Sequence, residues 1–235
     1  MVHTQSQVPQ PLGVIAAMPV EGEAIESALS EPVALLVLGR RVISGLLEGH
    51  QVLLAYGGVG KVNAALAVAA LANAGAAGVV MVGVAGAIAP GVGVGDAVVA
   101  TDLVQHDVDV TAFNNPPGYF RAGLAGGSAD PDLSDRLVMA ARSIGAVVHR
   151  GCIASGDQFI ASPEKSEAIA DQFGAIAVEM EGAAAAHACR QIGLPLAVLR
   201  WISDAADDQA MIDFQEFLDQ VTELDLKVVQ ALVAK

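Results

Sequence analysis

The chain has 235 residues, 54% hydrophobic and 16% charged, with a formal net charge of −14 at pH 7. That length buries a full core as one domain, and the negative charge repels polyanions, which excludes nucleic acid as a polymeric partner and favours a neutral or zwitterionic small molecule. Ala, Val and Gly dominate over aromatics, a composition suited to helices packed closely on a sheet buried on both faces.

Residues 1–10 are polar and lack the basic and apolar blocks of a secretion signal. They are expected to form a flexible N-terminal extension to a single domain over residues 11–235. Leu12–Ala17 reads as a first strand and Glu21–Leu29 as a helix. Val33–Leu38, Val42–Leu47 and Gln51–Tyr56 read as neighbouring strands separated by polar turns. After the glycine turn Gly57–Gly60, the alanine-rich segment Lys61–Asn73 predicts a helix ending before Gly75. Gly78–Val84 and Val94–Thr101 are continuous β-branched runs, hence buried strands. Glycines and Pro90 interrupt the apolar stretch from Val79 to Gly95 too often for a membrane-spanning helix. Residues 114–131, with three prolines and four glycines, predict a long functional loop.

Beyond it, Asp132–Ile144 and Pro163–Phe173 read as helices and Gly151–Ser155 as a strand. Ala175–Glu179 reads as a strand feeding a helix to about Ile192. Leu194–Ile202 reads as a strand, and Ile212–Val233 as a terminal helix. Strands alternate with helices throughout, which predicts a single-domain α/β three-layer αβα sandwich around a central twisted, mixed and largely parallel sheet.

In such folds, acids at strand ends point into the crevice where ligands bind. Three places fit: Glu21 after the first strand, Glu179 and Glu181 after Ala175–Val178, and Asp204 after Ile202. Each could equally be an acid at a helix start or a turn cap. Together, with no cysteine or histidine cluster nearby, they point to proton transfer by carboxylates. The five histidines show no paired ligand spacing, so no metal is expected. His106–Asp109 (HDVD) reads either as a catalytic or metal cluster or as a polar turn, with the turn favoured. Gly58 and Gly60 lack the third glycine of a dinucleotide fingerprint, and Ala55 and Val62 spoil a phosphate loop, so no cofactor is expected. Cys152 and Cys189 form no framework, which fits a reducing, cytoplasmic setting.

Several ordered segments carry a resemblance that spans Leu12 to Leu218. They are Gly13–Met18 (GVIAAM) with Glu21, Gly58–Ala65 (GVGKVNAA), and Gly95-Asp96 followed by His106–Phe113 (HDVDVTAF). Ser155–Ile160 (SGDQFI), Val178–Glu181 (VEME) and Arg200–Asp204 (RWISD) complete the set. The chain resembles the 5′-methylthioadenosine/S-adenosylhomocysteine nucleosidases of the nucleoside phosphorylase family. The resemblance implies hydrolysis of the N-glycosidic bond of adenine nucleosides with a 5′-thio group, with 5′-deoxyadenosine and aminofutalosine as further candidate substrates. Asp204 would be the general acid to adenine N7 with Ser203 holding it, Glu21 would activate water, and Glu181 would bind the ribose hydroxyls. Phe159 would stack on the purine, Ile160 would read its edge, and Met180 would lie under the ribose. Met18, Val59 and Phe214 would enclose the alkylthio group, and Arg200 would lie near the catalytic water. Val110 and Phe113 would reach the partner's site in a homodimer.

Three departures stand out. Val84 occupies a place where the family usually carries a hydroxyl near the nucleophile. Trp201 is bulky where a small residue is common, and the loop after Phe113 differs. Three other readings stay open: a futalosine-type nucleosidase, a phosphate-dependent purine nucleoside phosphorylase, and a catalytically silent nucleoside-binding protein. Phosphorolysis is disfavoured because residues 13–30 contain no arginine and Glu21 would repel the anion.

Overall fold

The computed structural model describes residues 10–121 and 123–234; the expected N-terminal extension, Gln10 aside, lies outside them. The chain begins with β1 (Leu12–Ala16), α1 (Pro19–Ala28), and the strands β2 (Ser30–Val37), β3 (Arg40–Leu47) and β4 (His50–Tyr56). Next come α2 (Lys61–Asn73), β5 (Gly78–Val82), β6 (Val84–Ala87) and β7 (Ala97–Gln105). A 3₁₀ turn, Thr111–Phe113, leads to β8 (Tyr119–Phe120), β9 (Gly123–Leu124) and β10 (Gly126–Ser128). The rest is α3 (Pro131–Ser143), β11 (Val148–Ser155), α4 (Pro163–Phe173), β12 (Ala175–Glu179), α5 (Gly182–Ile192), β13 (Leu196–Asp204) and α6 (Ala210–Val233).

Local chemistry sets many of these boundaries. Asp130 and Ser162 accept backbone N–H groups at the starts of α3 and α4, each followed by a proline at the first helical position. Gly174 and Gly193 end α4 and α5 in the left-handed conformation. Every residue of β5 is buried, as a central parallel strand covered on both faces requires.

Eleven strands form one mixed sheet in the order β10-β7-β11-β12-β6-β13-β5-β1-β4-β3-β2. Helices α1, α3 and α6 pack on one face, around Ile25, Leu137, Trp201, Phe217 and Val228. Helices α2 and α5 pack on the other, where small alanines let them approach the sheet and each other closely. The three-layer arrangement read from the sequence is present. Strand β13 also changes partners along its length: β5 at Leu196–Val198, β7 at Leu199–Trp201, then β6 as far as Asp204. This links β7, β11, β12, β6 and β13 into a closed ring.

Several boundaries differ from the sequence expectation. The run read as one strand over Gly78–Val84 is two strands, because Gly83 takes φ 140° and sends β6 off to pair with β12 and β13. The strand expected over Val94–Thr101 starts at Ala97, after Gly95 at φ 89°, and continues to Gln105. Within residues 114–131, expected as one long functional loop, lie a β8–β9 hairpin and the edge strand β10. Strand β13 extends to Asp204 because Ser203 and Asp204 are buried with it. No described helix is long and apolar enough to cross a membrane.

Gly83 is where fold and site meet. A Cβ there would lie 2.5 Å from both the Arg200 guanidinium and the Glu21 carboxylate. Gly83→Ala is therefore expected to lower stability by about 1–3 kcal/mol through backbone strain alone, with further loss from the clash. The thermal midpoint of the purified variant measures it.

Candidate active site

Glu21 sits in the first turn of α1, just beyond the end of β1. The turn folds back so that Met18 N–H donates to Glu21 Oε2 at 2.7 Å, half of a capping box. Val84 N–H donates to Oε1 at 3.3 Å from the start of β6. The side chain is 1% exposed. Burial raises its pKa, against the opposing pull of Arg200 and these amides.

Arg200 lies mid-β13 and is wholly buried beneath this carboxylate. Its Nη2 donates to Glu179 and, at 3.3 Å, to Glu181, and its Nη1 donates to the Val82 carbonyl at 3.2 Å. Burial works against its charge, but Glu179, Glu181 and Glu21 outweigh that and hold it protonated. Glu179 is fully engaged: it also accepts the Ser155 hydroxyl and the N–H groups of Glu181 and Gly182, so it starts α5. The helix-start role weighed for an acid in this segment thus falls to Glu179, and Glu181 faces the cavity. Gly60 N–H donates to Glu181 Oε1 at 2.7 Å. The glycine turn that fails as a phosphate cradle therefore presents its amide to a carboxylate. Lys61 and Asp157 hold that turn in place: Lys61 Nζ pairs with Asp107 at 2.6 Å, and Asp157 accepts the Lys61 N–H. Asp107 lies in the polar turn after β7, and burial lowers the pKa of its neighbour His106. Burial, then the charge of Glu179, pushes Glu181 up to about 7.

At the end of β13, Ser203 Oγ donates to Asp204 Oδ2 at 2.7 Å, and Ala206 N–H donates to Oδ1 at 2.9 Å. Burial raises the Asp204 pKa, against both of these bonds. Gly86 permits the approach, since a Cβ there would lie 2.8 Å from Asp204 Oδ1.

Glu21, Glu181, Asp204 and Ser203 all line one cavity of about 190 Å³. Met18, Val59, Val84, Phe159, Ile160, Met180 and Phe214 form its apolar walls. The rings of Phe159 and Phe214 meet edge to face, 5.8 Å between centroids. Arg200 stands behind the walls rather than in them. Val110 and Phe113 do not line the cavity: Val110 precedes the 3₁₀ turn and Phe113 ends it, 79% exposed. Among the described residues, no group of three or more His, Cys, Asp or Glu is placed to hold a metal ion.

Sequence reading did not assign roles to Glu179, the Gly60 amide or Gly86. For Glu179 the signal was present, as one of two acids at a strand end, but alternation alone does not say which one turns inward. For the glycines, the partner is brought in by a distant strand and leaves no local trace.

Fold and site together define an α/β protein with buried carboxyl groups around a largely apolar pocket of small-molecule size. Residues 11–234 match the model of the phosphorylase superfamily, and the chain belongs to that family. It is 36% identical over 230 residues to a 5′-methylthioadenosine/S-adenosylhomocysteine nucleosidase of Bacillus cereus, covering 94% of this chain and 99% of that one. It is 35% identical to an aminodeoxyfutalosine nucleosidase of Helicobacter pylori, covering 95% and 98%. A solved 5′-methylthioadenosine/S-adenosylhomocysteine nucleosidase of Neisseria meningitidis, in complex with methylthio-immucillin-A, superposes with a TM-score of 0.90 at 38% identity, over 95% of this chain and 98% of that one.

The raised proton affinity of Glu181 has a consequence for stability. Its ordinary value is 4.5, against about 7 in the fold, so between those values the folded chain binds more protons than the unfolded one. The stability this group contributes is full below pH 4.5 and is lost as pH rises through about 7. Glu181→Gln is expected to lose less stability than wild type between roughly pH 5 and pH 7.5, measured by chemical denaturation at both.

Proposed function

We propose that this protein hydrolyses the N-glycosidic bond of 5′-methylthioadenosine and S-adenosylhomocysteine, releasing adenine and the 5-thio-substituted ribose. The observation that carries this reading is the pairing of two buried carboxyl groups, Glu21 and Asp204, on the walls of one apolar cavity. Cleavage of such a bond needs a proton for the departing base and a base for the attacking water. Asp204, whose proton affinity burial raises, gives its proton to adenine N7 as the bond between C1′ and N9 breaks and its electron pair passes to the base. Glu21 takes a proton from water, whose oxygen bonds to C1′. Glu181 accepts the ribose hydroxyls, and its negative charge favours the cationic sugar of the transition state. Phe159 and Ile160 hold the purine near Asp204, Met180 lies under the ribose, and Met18, Val59 and Phe214 enclose the thioether.

Water rather than phosphate is favoured by the charge of the walls. They carry Glu21, Glu179, Glu181 and Asp204, and no lysine or arginine among the described residues. Arg200 is committed to glutamates. Val84 brings no hydroxyl to this end of the pocket, only an apolar wall and a backbone amide that donates to Glu21. A second reading, hydrolysis of aminodeoxyfutalosine, is favoured by the Helicobacter pylori relative, whose identity is close to that of the thioadenosine enzymes. It keeps the same chemistry and changes only the 5′ group.

The protein is proposed to act in the cytoplasm as a homodimer, in line with its two free cysteines. In support of the dimer, α2 turns Val62 and Leu66 outward, and Val62 lies beside Ala184, His187 and Ala188 of α5. Phe113 is exposed and free to enter a partner's site. Light scattering of the purified protein is expected to give twice the chain mass, and Val62→Glu to shift it toward the monomer.

Incubation with 5′-methylthioadenosine in phosphate-free buffer is expected to release adenine and free methylthioribose. Asp204→Asn should lower that rate by at least about 100-fold while a nucleoside analogue still binds. Sugar phosphate formed only with added phosphate would make the protein a phosphorylase. Near wild-type turnover in the variant would remove Asp204 from the mechanism, and aminodeoxyfutalosine run in parallel decides between the two substrates.

A further inference from the structure

Asp225 sits on the inward face of α6 and is wholly buried. The Trp201 indole N–H donates to its Oδ1 at 3.0 Å, while Oδ2 has no hydrogen-bond partner among the described residues. A buried carboxyl with an unpartnered oxygen carries a cost that an apolar residue would avoid, and the reaction above does not use it. Its surroundings connect it to the site. Trp201 donates its backbone N–H to the Gly83 carbonyl at 2.8 Å. Gly83 presses its α-carbon against Glu21 and Arg200 so closely that a Cβ would lie 2.5 Å from each. The next residue, Val84, donates its N–H to Glu21. A continuous path of packed atoms therefore runs from Asp225 through Trp201 and the Gly83–Val84 turn to the Glu21 carboxylate. Both Trp201 and Val84 are departures from the pattern that the sequence otherwise follows.

We propose that Asp225 is a positioning residue for Glu21: by holding the Trp201 indole it sets the Gly83–Val84 turn against the carboxylate that takes the proton from water. This rests on the reading of Glu21 given above. Asp225 faces Glu21 from α1 and Arg200 from β13, with Glu179 and Glu181 beyond the guanidinium. Burial, then the charge of Glu21, raises the Asp225 pKa well above the usual carboxylate range, against Trp201, Arg200 and the Gly83 amide. Only the Asp225 carbonyl oxygen is needed for the contact, so an amide can replace it.

The test is steady-state hydrolysis of 5′-methylthioadenosine by full-length Asp225→Ala, Asp225→Asn, Trp201→Phe and the double variant Asp225→Ala/Trp201→Phe, with Glu21→Gln in the same assay. Asp225→Ala and Trp201→Phe are expected to lower kcat about tenfold, the scale of a small misplacement of a reacting group, with KM within about twofold. Asp225→Asn should restore kcat to near wild type, and the double variant should be no worse than either single one. Trp201→Phe tests the same link if Asp225→Ala does not fold. Wild-type kcat in Asp225→Ala or, should it not fold, in Trp201→Phe overturns the proposal, as does an equal loss in Asp225→Ala and Asp225→Asn. Full turnover in Glu21→Gln overturns the reading of Glu21 itself and the proposal with it. A dead Glu21→Gln beside an unaffected Asp225→Ala overturns only the role of Asp225.

Discussion

One buried guanidinium is asked to balance a cluster of acids. Arg200 contacts Glu179 and Glu181 and stands behind Glu21, all of them withdrawn from water. A charge in such a place is stable only when paired and hydrogen-bonded. One cation cannot satisfy three anions, so the surplus appears as raised proton affinity. Glu179 takes most of Arg200 together with two backbone amides and a hydroxyl, while Glu181 and Glu21 are left poised to hold or release protons. Removing Arg200 would leave these acids with no counter-charge, and the site would keep its shape only by binding more protons.

The glycines around this cluster are there for approach rather than for phosphate. Gly60 turns its amide onto Glu181, Gly83 lets Arg200 and Glu21 meet across its α-carbon, and Gly86 admits the Asp204 carboxylate. Two of the three also have φ values that side chains rarely adopt. Amides donated to carboxylates take the place of the anion cradles that similar glycine runs build elsewhere. The closed ring made by β13 accompanies this arrangement: after Val198 the strand leaves β5, placing Arg200 behind the pocket and Asp204 in its wall.

Much of this was legible in the chain. Apolar runs ending in acids marked Glu21, Glu179, Glu181 and Asp204, because a buried strand can release a carboxylate only where it leaves the sheet. The alanine-rich stretches marked the helices that pack closely, and the layer arrangement follows from their alternation with strands. Harder to see were the break at Gly83, hidden inside a continuous apolar run, and the short strands within residues 114–131, where turn residues mask β10 and its pairing with β7.

The sequence by itself determined which groups were available: carboxylates at strand ends, no histidine or cysteine constellation, apolar surroundings and a small-molecule bias from net charge. These are properties of residue type and local order. Only the tertiary structure decided how the groups divide their work. Glu179 and Glu181 are two residues apart, yet one is locked to Arg200 and the start of α5 while the other faces the cavity. Asp225 gives no local sign of function in a helix; Trp201 from β13 and the Gly83 turn bring it to the site only when the elements pack. Proton affinity in a buried cluster depends on burial and on distances to charges carried by other elements, and both are fixed when those elements pack.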